Sequence, residues 1–90
     1  MIVISYDIKD DKVRHVFSKM IQKHGAIRLQ YSVYEVVNTN RIFDNLLILI
    51  EDYISKYLTG ADSIIIFDVS NMKLRKYGSA IHRDQDVVYF

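Results

Sequence analysis

Residues 27–35 read Ile-Arg-Leu-Gln-Tyr-Ser-Val-Tyr-Glu, and the way this stretch pairs sets the layout of the whole sheet. From Ile27 to Val33 the chain alternates, with Ile27, Leu29, Tyr31 and Val33 on one side and Arg28, Gln30 and Ser32 on the other. That is the two-residue period of a strand with one apolar face. At Glu35 the alternation breaks, which marks a bend or bulge, or else the second half of a tight hairpin. The two readings differ by one strand.

Outward from this stretch, Ile2 to Tyr6 reads as a buried strand ending in Asp7. Asp10 or Asp11 can cap the helix that follows, whose apolar positions fall at Val13, Val16, Phe17, Met20 and Ile21 before Gly25 closes it. His15, Lys19 and Lys23 lie along the opposite face. A second helix is expected from about Arg41 to Leu58, with Ile42, Phe43, Leu46, Leu47, Ile50, Ile54 and Tyr57 on its core stripe and Gly60 as its stop. Ile48 projects from the face that otherwise holds Arg41, Asp44, Asp52 and Ser55. A strongly apolar strand then covers Ser63 to Val69, a weaker one lies near Lys73 to Tyr77, and a short terminal one runs from Val87 to Phe90.

Strand, helix, strand once or twice, helix and strand again predict an α+β fold: a ferredoxin-like sandwich with two helices on one face of an antiparallel sheet and an extra C-terminal strand. Ninety residues make a single domain, 1–90, with 85–90 as an edge-pairing or exchanged tail. Two helices cover one face only, yet Ile2-Val3-Ile4 and Ile64-Ile65-Ile66-Phe67 are apolar on both. A second copy of the chain is the economical cover, which predicts a two-fold homodimer.

With no cysteine, the fold has neither disulfides nor a thiolate zinc site. The longest apolar run, Leu46 to Ile50, is far short of the ~20 residues that a membrane span needs, so a cytoplasmic protein without membrane contact is expected. Net charge is only +1, but its distribution is uneven. Residues 1–30 carry six bases (Lys9, Lys12, Arg14, Lys19, Lys23, Arg28) against three acids, Asp7, Asp10 and Asp11, whereas residues 31–62 carry five acids against two bases.

Of the three early carboxylates, Asp10 and Asp11 suit the helix start, which leaves Asp7 as the chemical candidate. Alone it is a poor Mg²⁺ site, because that ion takes octahedral oxygen coordination. Across a two-fold axis, two copies of Asp7 could share a divalent ion. Arg14, Arg28, Lys19 and Lys23 are candidate phosphate contacts, and Tyr6, Tyr31 and Tyr34 can stack on bases or close an interface. His15, His24 and His82 have no metal-ligand spacing and no adjoining nucleophile.

Tyr6-Asp7-Ile8-Lys9-Asp10-Asp11 with Arg14, and the block Arg28-Leu29-Gln30-Tyr31-Ser32-Val33-Tyr34-Glu35, resemble the small CRISPR-associated protein family of the spacer-acquisition machinery. The likeness covers about residues 1–70 and is loose beyond. It implies a homodimer of ferredoxin-like subunits that bridges dimers of the CRISPR integrase and holds duplex DNA for spacer integration. It also implies a metal-dependent endonuclease activity on single-stranded RNA or double-stranded DNA, using Mg²⁺ or Mn²⁺ at the Asp7 pair. Asp7 is then the metal-binding and catalytic residue, and Tyr6, Arg14, Arg28 and Tyr34 support it; at Tyr34 the family commonly has phenylalanine. Some members carry a second arginine where this chain has Val16, so that contact does not transfer. The tail Val87, Val88, Tyr89 and Phe90 matches a segment that pairs with neighbouring chains, the integrase among them. A stand-alone endoribonuclease toxin of the virulence-associated protein D type is the alternative reading.

Overall fold

A computed structural model describes residues 1–36, 40–69 and 74–78. Its elements are β1 (Ile2–Asp7), α1 (Asp11–Lys23), β2 (Ile27–Gln30), β3 (Val33–Val36), α2 (Asn40–Ile48) and β4 (Ser63–Asp68). They form one antiparallel sheet in the order β2-β3-β1-β4. This is the expected α+β ferredoxin-like arrangement.

The opening stretch is a hairpin. Tyr31 and Ser32 form its turn, with Ser32 in the left-handed region at φ 63°. The register puts Ile27 opposite Glu35, Arg28 opposite Tyr34 and Gln30 opposite Val33, with a bulge between Arg28 and Gln30. The single apolar face expected from Ile27 to Val33 is therefore not formed. Ile27 is 43% exposed and Tyr31 65%, while Leu29 is buried. A turn at positions 31 and 32 ends the strand before the alternation can continue.

Helix α1 has the start and stop that its sequence encodes. Asp10 is the N-cap and its Oδ1 accepts from the Val13 N–H at 2.9 Å. At the other end the Ala26 N–H reaches the Ile21 carbonyl at 3.1 Å and the Gly25 N–H the Gln22 carbonyl at 3.0 Å. That pair of bonds is a Schellman closure, and it needs Gly25 at φ +89°. Helix α2 begins at Asn40, then widens into a π-helical turn (Leu49–Tyr53) and tightens into a 3₁₀ turn (Ile54–Tyr57). The Ile54 N–H points at both the Leu49 and Ile50 carbonyls, so the chain changes pitch there.

The change of pitch corrects the expected core stripe. Ile2, Ile4 and Tyr6 of β1 and Tyr34 and Val36 of β3 pack with Phe17, Ile21, Leu46 and Ile54 from the helical layer. Ile42, Phe43 and Ile50 pack against this cluster. Tyr57, placed on the stripe by a 3.6-residue period, is instead 63% exposed, because a wide turn followed by a tight one breaks that period. Val16 is also off the core, at 45% exposure; it lines an open groove with Ile54 and Tyr57. Ile48 is exposed as read.

The other sheet face holds Val3, Val33, Glu35, Ile65 and Phe67, as the register requires. It is half covered. Residues 74–77 carry no strand, contrary to the expectation near Lys73 to Tyr77. Instead they bring Lys76 to Glu35, Nζ to Oε1 at 2.7 Å, with both side chains under a tenth exposed. On the same face Ile65 is 51% and Phe67 47% exposed on β4. The expected strand Val87 to Phe90 and the tail 85–90 lie outside the described residues.

Candidate nucleic-acid interface

The C-terminal end of β1 gathers the chemistry-bearing residues. Because β3 runs antiparallel to β1, the hairpin turn lies beside Tyr6, whose N–H donates to the Ser32 carbonyl at 3.0 Å. The β1–α1 loop and the loop that precedes β4 meet at the same end. Asp62 joins them: its Oδ1 accepts from the Lys9 N–H at 2.9 Å, and its Oδ2 accepts from the Thr59 N–H at 2.8 Å and hydroxyl at 3.2 Å. The Lys9 N–H and then the Thr59 N–H hold the Asp62 carboxyl below its ordinary range.

Asp7 closes β1 opposite Ser63, with its side chain 62% exposed. The Lys9 ammonium lies 3.1 Å from each of its carboxylate oxygens. The type of donor suits a hard divalent cation, but the number does not. Among the described residues there is no group of three or more His, Cys, Asp or Glu able to hold a metal ion. Among the described residues, Asp7 is therefore the single carboxylate at the tip of β1 with an opposite charge as its partner.

Arg14 is held rather than loose. Its Nη1 donates to the Ile8 carbonyl at 3.0 Å, and its Nη2 pairs with Asp11 one turn back. It also faces the Tyr31 ring, with the guanidinium carbon 5.9 Å from the centroid; Arg28 approaches the same ring at 5.7 Å. These residues, with His15, Ser18 and Tyr34, line a cleft of about 260 Å³, and Asp11 sits at its rim. Among the described residues no ion pair involves Arg28.

Of the residues expected to support Asp7 or bind nucleic acid, Arg14, Arg28 and Tyr34 are brought together here. Tyr6 and Tyr34 are buried, at 7% and 5% exposure, so neither offers a ring face to a base as the sequence suggested. Tyr6 meets Phe17 edge-on at 4.9 Å and stacks on Tyr34 at 6.1 Å. Burial, and then the Tyr34 hydroxyl, push the Tyr6 phenol up to about 12. Gln22 Nε2 donates to the Tyr34 hydroxyl at 3.3 Å, which ties this ring to α1. Lys19 and Lys23 are exposed on α1 but do not line the cleft. The Val87 to Phe90 contact surface falls outside the described residues.

Sequence reasoning missed three participants. Asp62 carried a legible signal, since Thr59-Gly60-Ala61-Asp62 has the residue types of a tight turn. His15 and Ser18 carried none, because their place in the cleft depends on a hairpin that lies more than ten residues further along.

The chain is similar in sequence to known proteins. The profile described as CRISPR-associated protein Cas2 matches residues 1–77. A curated relative, the CRISPR-associated endoribonuclease Cas2 2 of Methanospirillum hungatei, is 38% identical over 55 residues, covering 57% of this chain and 61% of the relative. The chain thus spans about three fifths of the length of the curated relative that it matches. With the family profile matched over most of its length, on a ferredoxin-like fold with an aspartate at the tip of β1, the chain belongs to the CRISPR-associated Cas2 family.

Proposed function

We propose that the protein is a CRISPR adaptation subunit, a homodimer that bridges dimers of the CRISPR integrase and holds duplex DNA while a spacer is integrated. We infer in addition a metal-dependent endonuclease activity centred on Asp7. The observation that carries the reading is an exposed Asp7 at the tip of β1 in a member of this family, with Arg14 and Arg28 meeting on Tyr31 in the hairpin turn that hydrogen-bonds to the neighbouring Tyr6. The endoribonuclease name of the Methanospirillum relative supports the hydrolytic part. The stand-alone toxin alternative has no comparable support.

The half-open sheet face supports the dimer. Ile65 and Phe67, about half exposed on an edge strand, form the apolar surface that a second copy would cover. The basic residues of the first thirty positions, doubled by symmetry, can follow a phosphate backbone without reading bases. Lys19 and Lys23 extend that surface along α1, and Val87, Val88, Tyr89 and Phe90 are the proposed integrase contact. No helix among the described residues is long and apolar enough to cross a membrane, which fits the proposed cytoplasmic setting.

In the hydrolytic step Asp7 has to exchange Lys9 for another cation. A Mg²⁺ or Mn²⁺ ion shared with the second copy's carboxylate would supply an acidified water and a counter-charge for the phosphodiester. Tyr6 and Tyr34 act from below: Tyr6 meets Phe17 edge-on and stacks on Tyr34, which fixes the end of the strand that carries Asp7. Arg14 fixes the next residue through the Ile8 carbonyl.

The test is Asp7→Ala in purified protein and in cells. Cleavage should require a divalent ion and vanish in the variant, while dimerisation and spacer acquisition persist. Cleavage by purified variant would remove Asp7 from the chemistry. Loss of acquisition by a folded variant would sink the holding role as separate from hydrolysis.

A further inference from the structure

Tyr31 is out of place for an ordinary turn residue. It stands at the tip of a two-residue hairpin with 65% of its surface exposed, and it has a guanidinium on its ring from each of two separate elements. Its backbone is fixed by the left-handed Ser32 and by the Tyr6 N–H on the Ser32 carbonyl. The ring is thus already placed, and stacking a base on it costs little further order.

The charges around it do not cancel. The cleft holds two guanidinium groups and one carboxylate, and that carboxylate, Asp11, is engaged by Arg14. Among the described residues Arg28 makes no ion pair, and its guanidinium lies on the Tyr31 ring. One phosphate would compensate it; a second phosphate close by would meet Asp11. A duplex offers π-faces only at its ends, whereas an unpaired nucleotide offers one face and one phosphate together.

We propose that the Arg14–Tyr31–Arg28 cleft is a site for a single unpaired nucleotide, with its base stacked on Tyr31 and its phosphate taken by Arg28. The inference rests on the reading that this end of the sheet handles nucleic acid, and it adds that the end selects single-stranded or frayed segments. On binding, the base replaces the Arg28 guanidinium on the ring, and Arg28 turns to the phosphate. His15 and Ser18 line the same cleft, with the Ser18 hydroxyl donating to the His15 carbonyl at 3.0 Å.

The experiment is fluorescence anisotropy in a chelator, so that no cleavage occurs, with a labelled single-stranded oligonucleotide and a covalently closed duplex minicircle. Tyr31→Ala should weaken single-strand binding by roughly 5- to 100-fold, the range of one lost base–aromatic stack, and minicircle binding by less than about 2-fold. Tyr31→Phe should bind as wild type does. Arg28→Gln should weaken single-strand binding and lower its salt slope by about 0.7, the value of one phosphate contact on a single strand. Equal losses on both ligands in Tyr31→Ala, or no loss on the single strand, would overturn the proposal. Single-strand binding without any Tyr31 dependence, in protein that still binds the minicircle, leaves the DNA-holding role standing and rejects this site. Wild-type protein that binds neither ligand rejects both.

Discussion

Replacing Lys76 by Met should destabilise this protein far more than loss of any other lysine among the described residues. The ammonium lies 2.7 Å from Glu35 Oε1, with the two side chains 8% and 7% exposed. At an effective dielectric of about 20, charges roughly 3 Å apart attract by on the order of 5 kcal/mol. Most of that repays the desolvation of both groups, so the pair itself is nearly neutral against apolar replacements. Removing only the lysine takes a 2.7 Å ionic contact from a carboxylate that is 7% exposed, and the cost is about 3–5 kcal/mol. For a domain of this size each kcal/mol moves the midpoint by about 4–8 °C, so the melting temperature should fall by at least ~12 °C. The double variant Glu35→Met/Lys76→Met should return to within about 1–2 kcal/mol of wild type. Urea and thermal melts at one fixed protein concentration provide the measurement, since any dimer links stability to concentration. A Lys76→Met protein within about 1 kcal/mol of wild type would refute the argument and show that residues 74–78 do not hold Glu35 in solution.

Tyr6 should make the fold alkali-sensitive. Its phenol is raised from 10.0 to about 12, so the unfolded chain ionises first, and stability that is complete below pH ~10 is lost as pH rises toward ~12. Two units correspond to at most about 2.7 kcal/mol, and solvent near the hydroxyl reduces this to about 1–2. Tyr6→Phe, followed by denaturant melts from neutral to alkaline pH, should remove that slope. Asp62 has the opposite dependence. Its carboxyl is depressed by the Lys9 and Thr59 N–H groups, so its contribution is present above pH ~4 and is lost as pH falls through the lower, folded-state value. Asp62→Asn should flatten the acid limb of stability against pH and loosen the Lys9 amide, read as faster hydrogen exchange at that position; an unchanged exchange rate would count against the link. Deleting residues 87–90 should weaken capture of the integrase subunit more than it lowers the dimer's melting temperature. Normal capture by the truncated protein would place the contact elsewhere.

Much of the fold was legible in the chain itself, because its signals are local. Asp10 before the apolar period of α1 and Gly25 after it encode the two ends of that helix, and both work through groups within five residues. Ile2-Val3-Ile4 and Ile64-Ile65-Ile66-Phe67 are apolar on two faces, so two strands and an incompletely covered sheet followed from the residue pattern alone, although the second of these strands lies at the sheet edge. Separating Asp7 from Asp10 and Asp11 also needed only the positions of a strand end and a helix start.

Other features were decided by contacts between residues far apart in sequence. Alternation is identical in a straight strand and in a hairpin until a partner strand sets the register, and here β1 pairs with Val33 rather than with the residues before it. Tyr6, Tyr31 and Tyr34 are the same residue type within one short region, yet the turn at Ser32 leaves Tyr31 in solvent while β1 pairing buries the other two. Lys76 and Glu35 are 41 positions apart and carry no mutual sequence signal; only the crossing of 74–78 over the second sheet face makes them partners. The acidic tip of β1 was readable as a chemical candidate from the chain, but the two arginines and the ring that accompany it come together because sheet order, a long-range property, brings the hairpin turn beside α1.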